Sequence, residues 1–548
     1  MKNIKSILLS GAALLTAGIM GTSCADKLDL GVIDRYGSGS YWKNEAHVLS
    51  YIDGLHKNLR DVTWNHTMVY GEMRGGTMVS TGVGDDNYRI SDTDIKNQLF
   101  DKDHTGVSNF GDIYGKITNC NLLIARAPQV DMDETKRNTY MAIAYGLRAL
   151  HYFDLYRLYG GVPMRTDVKV IDGVLDPVQL YVGRSTPKAI MTQIKADFAE
   201  SLKLFGNNNS FNPAGHGNKV YWNKAATECL AADVYLWSAK VDCYDQKANA
   251  ADLQTAKQHL KNVLSNYQGL EMLKDFSKVF DAKNKANSEI IFAVRYAEGE
   301  ATNSNLNFTY NNTTGSMKSN YREDGTPWND PLDLKANGGF LAHQYKDEML
   351  ALYDKEDTRR NATFMGNYSM DANGELSLIG LITVKNVGYI NAQGNRISCG
   401  DYILYRLPWV YLSLAEIANQ EGNKDDMEMY MNLVRERAYD KNWDEDVYGF
   451  VASDDFTENE LAILNEKTKE FVQEGQRWWD LLRMTYTKGG DALVFHKEAT
   501  LEKENPLLDK ATEAHKVLWP INVGVLNNDT TIFQTPGYGA GAQKECKW

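Results

Sequence analysis

Apolar residues recur along this chain in long runs with helical spacing. The clearest spans 140–163, where Tyr140, Ile143, Leu147, Leu150, Phe153 and Leu158 mark one face. No proline interrupts the run, and Gly160-Gly161 followed by Pro163 ends it. Ala142, Ala144, Gly146 and Ala149 would let a neighbouring helix approach closely. Arg148, His151, Asp154 and Arg157 recur at i+3 steps and form a polar strip. By pattern alone this is a core helix with a salt-bridged edge.

The same periodicity predicts helices at 42–59, 112–127 and 133–159. Ser185-Thr186-Pro187 reads as an N-cap with proline in the first turn, opening a helix that runs to Phe205. An alanine-rich amphipathic run covers 224–240, and 251–267 follows after a short turn. Later come 408–418 and its partner 427–438, then a single helix at 458–484. Helix pairs of this length resemble tetratricopeptide units of about 34 residues. The predicted class is mainly α: a tetratricopeptide-like helical repeat scaffold with a loop-rich half and a few short strands.

Two stretches break the pattern. Residues 60–110 lack helical spacing and carry Gly71, Gly75, Gly76, Gly82 and Gly84 with the acidic turn Asp85-Asp86, so they are expected to be irregular. Residues 301–339 are rich in Asn, Thr and Gly, with aromatics interspersed. Long loops in compact proteins are usually functional or disordered, and these aromatics argue against disorder. Between them, 289–296 reads as a buried strand, and 363–399 as short strand pieces among glycines.

The 548 residues are enough for two or more packed lobes, and 43% hydrophobic content indicates a globular protein. Net charge is −13 and no basic stripe stands out, which argues against nucleic acid as a partner. Six cysteines in so long a chain cannot hold the fold together. Cys229 and Cys243 on one continuous helix would stand about 21 Å apart, too far to bridge.

The first residues read as a targeting segment. Lys2 and Lys5 precede an apolar run from 7 to 20, too short for a membrane span, and Gly21-Thr22-Ser23 leads into Cys24. A cysteine after small residues is the pattern of a lipoprotein processing site, so 1–23 is expected to be removed and Cys24 lipidated. The alternative is an ordinary cleaved signal with a chance cysteine.

Catalytic motifs are not apparent: no HExxH, paired CxxC, Walker lysine or GxSxG occurs. No cofactor or metal is expected, and no catalytic residue is assigned. Glu474, Arg477, Asp480 and Arg483 fall at i+3 steps on the predicted 458–484 helix. Glu474 and Asp480 would lie about 9 Å apart along its axis. Flanking arginines would hold both carboxylates ionised, which suits a structural ridge better than a general acid.

What remains is binding. Sugars offer apolar ring faces and hydroxyl edges, so their sites need flat aromatics beside Asn, Asp and Arg. The first irregular stretch supplies Trp64, Asn87, Tyr88 and Arg89; the second supplies Asn305, Phe308, Tyr310 and Trp328. The bland alternative is that these side chains pack their own loops.

Several of these stretches resemble the SusD/RagB family, surface lipoproteins of gut and oral Bacteroidota that capture nutrients. The carriers are Arg148 to Leu155 (RALHYFDL) with Tyr159-Gly160-Gly161-Val162-Pro163, Glu474 to Arg483 (EGQRWWDLLR), Leu518-Trp519-Pro520-Ile521-Asn522, and Gln534-Thr535-Pro536-Gly537-Tyr538. Cys24 to Leu30 also looks like the family's mature start. Gln476 and Trp478-Trp479 depart from the commonest form of the second motif.

The resemblance implies a SusD-like N-terminal part over 24–270 and a C-terminal part over 271–548. It implies a scaffold of four helical repeat units, glycan-binding aromatics on loops at about the two irregular stretches, and a lipid anchor in the outer membrane. It further implies surface exposure and delivery of oligosaccharide to a TonB-dependent SusC-like transporter, without catalysis. The rival readings are a peptide-capturing RagB-like protein, a surface glycosidase or peptidase, and a structural repeat adaptor.

Overall fold

A computed structural model describes residues 41–79, 90–105, 111–168, 180–303, 319–328, 343–539 and 544–548. Ten helices organise it: α1 (Glu45–Leu59), α2 (Gly111–Arg126), α3 (Glu134–Tyr159), α4 (Pro187–Phe205), α5 (Lys224–Lys240), α6 (Asp252–Asn266), α7 (Leu407–Glu421), α8 (Lys424–Tyr439), α9 (Phe456–Glu470) and α10 (Arg477–Arg483). Each packs on its neighbour from α2 to α6, and α6 meets α7. The stack therefore continues into the late pair α7–α8 across a large gap in sequence, and α9 lies against α7. This is the mainly helical, tetratricopeptide-like class that the spacing predicts.

Local chemistry explains several ends. The Thr186 hydroxyl accepts from the Ala189 N–H at the start of α4, with Pro187 in the first turn. Asn223 caps α5 through Ala226, and Asn423 caps α8 through Asp426. On α3 the small residues do serve close packing: a methyl added at Gly146 would overlap the Trp222 indole. One continuous apolar core runs from Val48 to Tyr538 and so spans both halves of the chain. Cys120, Cys229, Cys243 and Cys399 are free thiols buried in it.

The strands are few. β1 (Ile290–Val294) pairs antiparallel with β6 (Tyr402–Arg406), and both are largely buried. β2 (Phe364–Met370) and β3 (Leu376–Thr383) form a longer hairpin, while β4 (Tyr389–Ile390) and β5 (Arg396–Ile397) form a minimal one.

Two predictions fail. Residues 60–75 are not irregular: α1 continues through a 3-10 turn into a π-helix (Asn65–Glu72) and another 3-10 turn. From Thr67 to Glu72 every residue of the π-helix is buried, so no polar face betrays the helix in the sequence. The predicted helix at 458–484 is broken between α9 and α10. Gln473 and Gly475 take φ of 64° and 73°, in the left-handed region that no right-handed helix contains. The break seats itself on the π-helix: a side chain at Gly71 would strike the Gly475 backbone, and one at Gly475 would strike His66. The Gly475 N–H donates to Glu72 Oε1 at 3.0 Å.

Candidate functional site

The charged motifs are built into the interior. On α3, Arg148 makes a two-pronged pair with Asp197 at 2.8 and 2.6 Å. Asp154 pairs with His66 at 3.0 Å and with Arg157 at 3.0 Å. Burial pushes the Asp154 carboxyl up, but His66 and Arg157 outweigh it and hold it below the usual carboxylate range. On α10, Asp480 receives Lys467 at 2.8 Å and Arg483 at 2.6 Å. Asp233 of α5 then joins the two motifs, facing Arg157 at 3.5 Å and Arg483 at 3.4 Å.

Glu474 lies in the break before α10, so the ridge of four charges on one helix does not exist. Its carboxylate turns instead to Lys385 at 2.6 Å and Arg406 at 2.7 Å. Arg406 also meets Glu289 at 2.9 Å and Glu470 at 2.5 Å, and Arg437 and Arg359 converge on Glu470. Burial alone would raise Glu470; these three arginines hold it well below its ordinary value. Among the described residues Arg477 pairs with no carboxylate: it donates to the backbone oxygens of Gly75 and Ala499, each at 2.8 Å, and to the Thr468 hydroxyl. These buried, mutually paired carboxylates tie distant segments of the scaffold together.

The predicted ligand-binding residues are divided. Cys24, Asn87, Tyr88, Arg89, Asn305, Phe308 and Tyr310 lie outside the described residues. Trp64 immediately precedes the π-helix, half-buried, with its ring 5.5 Å from that of His343. Trp328 is 6% exposed, and the Arg322 guanidinium stands 4.9 Å over its ring. Trp328 thus packs against its own turn in this structure.

More telling is where the stretches begin and end. The Val79 N–H, the last before 80–89, donates to the Gln344 oxygen at 2.9 Å, and Lys346 N–H donates to Thr77. Met78 and Tyr345 thus form an antiparallel bridge, and Tyr345 Oη donates to Glu72 at 2.8 Å. Residues 329–342 end just before this bridge. At their other end Trp328 N–H donates to Asn320, beside the end of 304–318, and Tyr321 bridges Tyr368 on β2. Gln344 lies against Gly380 of β3, which is opposite Asn367 on β2. Three further segments, 77–79, 320–328 and 343–346, therefore meet at the β2–β3 hairpin. The sequence signals the loops but not this junction, because bridges between distant segments leave no spacing to read.

Comparison with known proteins agrees with this architecture. The model of the SusD family matches residues 334–538, and one described as "Starch-binding associating with outer membrane" matches 44–236. A SusD superfamily protein from Bacteroides fragilis is 55% identical, covering 91% of this chain and 100% of its own, with a TM-score of 0.86. NanU of B. fragilis is 30% identical over 93% of this chain and 100% of its own, with a TM-score of 0.77. A surface glycan-binding protein A from Bacteroides fluxus shares the fold at 18% identity, covering 90% and 100%, with a TM-score of 0.66. With its motifs, helical stack and a relative of more than half identity all in agreement, the chain belongs to the SusD family.

Proposed function

We propose that the protein is a surface glycan-binding lipoprotein that captures an oligosaccharide and passes it to a TonB-dependent SusC-like transporter. The observation that carries this reading is the junction at β2–β3, where the stems of both aromatic- and amide-rich stretches are tied side by side. Stems held by a buried scaffold give loops a fixed base, and binding residues concentrate on such loops. Asn87, Tyr88 and Arg89 on one side, and Asn305, Phe308 and Tyr310 on the other, are the proposed contacts; Trp64, beside His343, lies near the base. Cys24 would anchor the chain by lipid; the description of the matching N-terminal family supports association with the outer membrane. The glycan-binding names of related proteins support the ligand class.

A glycan array run beside a peptide library on the full chain tests the ligand class. Saturable glycan binding without peptide binding is the expected outcome. Peptide binding alone would transfer the assignment to the RagB-like reading, and release of reducing sugar from a bound glycan would establish an enzyme instead. Cys24→Ala is expected to leave the protein out of the outer-membrane fraction when no transporter is expressed.

A further inference from the structure

Helix α8 is the last of the stack and packs on α7. Its inner face is apolar, with Met427, Tyr430, Met431 and Val434 buried. The outer face of a terminal repeat helix is ordinarily polar, because no further repeat covers it. Here Asp425, Met429, Leu433 and Glu436 recur at steps of four, four and three and are all exposed. They form one outer stripe with an apolar centre and acidic ends.

The segment after α8 widens this stripe. Asn432 accepts from the Phe450 N–H at 2.6 Å and donates to the Phe450 oxygen at 3.1 Å. Glu428 accepts from the Ala452 N–H at 2.8 Å, so 450–452 runs along the helix with Val451 between the two ties. The Tyr448 ring stacks on that of Tyr439 at 4.1 Å, which brings Val447 to the C-terminal end of the helix. Met429, Leu433, Val447 and Val451 are between 39% and 80% exposed. Seven large apolar side chains are exposed among the described residues, and these four fall within 429–451. They make a patch rather than scattered singles.

Charge selects the occupant. Asp425, Glu436, Asp440, Glu445 and Asp446 border the patch, exposed and without ion-pair partners among the described residues. Of the nearby cations, Lys424 is taken by Asp454 and Arg435 by Glu466, which leaves Lys441. A second copy laid antiparallel on the stripe would set Asp425 against Glu436, like charge against like.

We propose that this face docks an amphipathic helix of another protein, its apolar seam flanked by lysine or arginine. The face is independent of the glycan reading, since none of the loop stems lies on it.

The probe is the peptide LKKLLKLLKKLLKL, with LEELLELLEELLEL as its charge-reversed counterpart, each titrated into the full chain by calorimetry. The expected result is one saturable site for the lysine peptide, weakened by salt, and none for the glutamate peptide. Leu433→Asp combined with Val451→Asp should weaken binding about tenfold or more, although the added negative charge would strengthen a merely electrostatic association. Asp425→Asn with Glu436→Gln should also weaken it. Leu99→Asp, at an exposed apolar position elsewhere, should leave it unchanged. All the replaced side chains are exposed, and a melting curve on each variant checks its folding. Absence of a saturable site, equal binding of both peptides, or full affinity in the Leu433→Asp, Val451→Asp variant would overturn the proposal. So would sedimentation showing a dimer that Leu433→Asp separates, because the face would then belong to a second copy.

Discussion

The charge webs and the loop stems use polar residues in opposite ways. In the webs, Arg406, Arg359, Arg437 and Arg483 are almost wholly buried, each held by carboxylates from distant segments. At the stems the ties are backbone bridges, Met78 to Tyr345 and Tyr321 to Tyr368, with side chains left to the adjoining stretches. The webs fix one geometry and tolerate little change, because breaking a buried pair strands a charge. The stems are held mainly through their backbone, with the Tyr345 hydroxyl on Glu72 as a side-chain tie. The lesson is that the most recognisable motifs of this chain, on α3 and α10, build the scaffold, while the proposed binding residues lie elsewhere in the sequence.

The largest effect expected from breaking this division is at Arg406. Arg406→Ala leaves Glu289, Glu470 and Glu474 short of a cation and should cost about 3–5 kcal/mol, read from denaturant unfolding. Glycan affinity of the folded fraction should be unchanged.

Acid attacks the same interior. Burial lowers His56 to about 4 and His151 to about 3. His56 is held neutral, its Nδ1 near the Ile52 oxygen and its Nε2 accepting from the Trp222 N–H. Both folded values lie below the unfolded one, so between them the unfolded chain binds more protons. Stability is therefore complete above about pH 6.5 and falls as pH drops toward 4 and 3. The loss at pH 5 is on the order of 2 kcal/mol for each histidine. Glu466, held at about 2 by Arg359, Lys469 and Arg435 against the opposing effect of burial, adds a further loss only below about pH 4.5. A melting series from pH 7 to 3 checks this; a flat profile down to pH 5 would refute the histidine contribution.

Trp328 sharpens the boundary between the two regions. Being buried, Trp328→Ala should lower stability by about 1.5–3 kcal/mol, seen as a lower melting temperature. An unchanged melting temperature with weaker glycan binding would return it to the ligand-contact set. Arg477→Ala removes donors from two backbone oxygens and a hydroxyl without stranding a carboxylate, and should cost about 1–3 kcal/mol with no loss of affinity.

Much of the scaffold is legible in the sequence. The helix over 224–240 and the proline-led start of α4 follow from local pattern and capping, which need no knowledge of the rest of the chain. The π-helix is not legible, because burial on every side erases the polar face. Nor is the break before α10, where Gln473 adopts a conformation its side chain does not advertise. The partners of Glu474 come from Lys385 and Arg406, far away in sequence, so the i+3 reading of that residue had no means of finding them. Arg74, stacked 3.7 Å from the Trp478 ring and near Phe100 and Trp519, is another such long-range arrangement. Of the candidate site, the sequence supplies the residue types, and the fold supplies their common base.

The central claim is that binding belongs to the stretches anchored at that base. The most direct measurement is calorimetric titration of the cognate oligosaccharide, identified on the array, into the parent protein and Tyr88→Ala, with a melting curve on each. The account predicts affinity weakened by about 1–3 kcal/mol, roughly five- to more than a hundredfold, at an unchanged melting temperature. Unchanged affinity in Tyr88→Ala would contradict it.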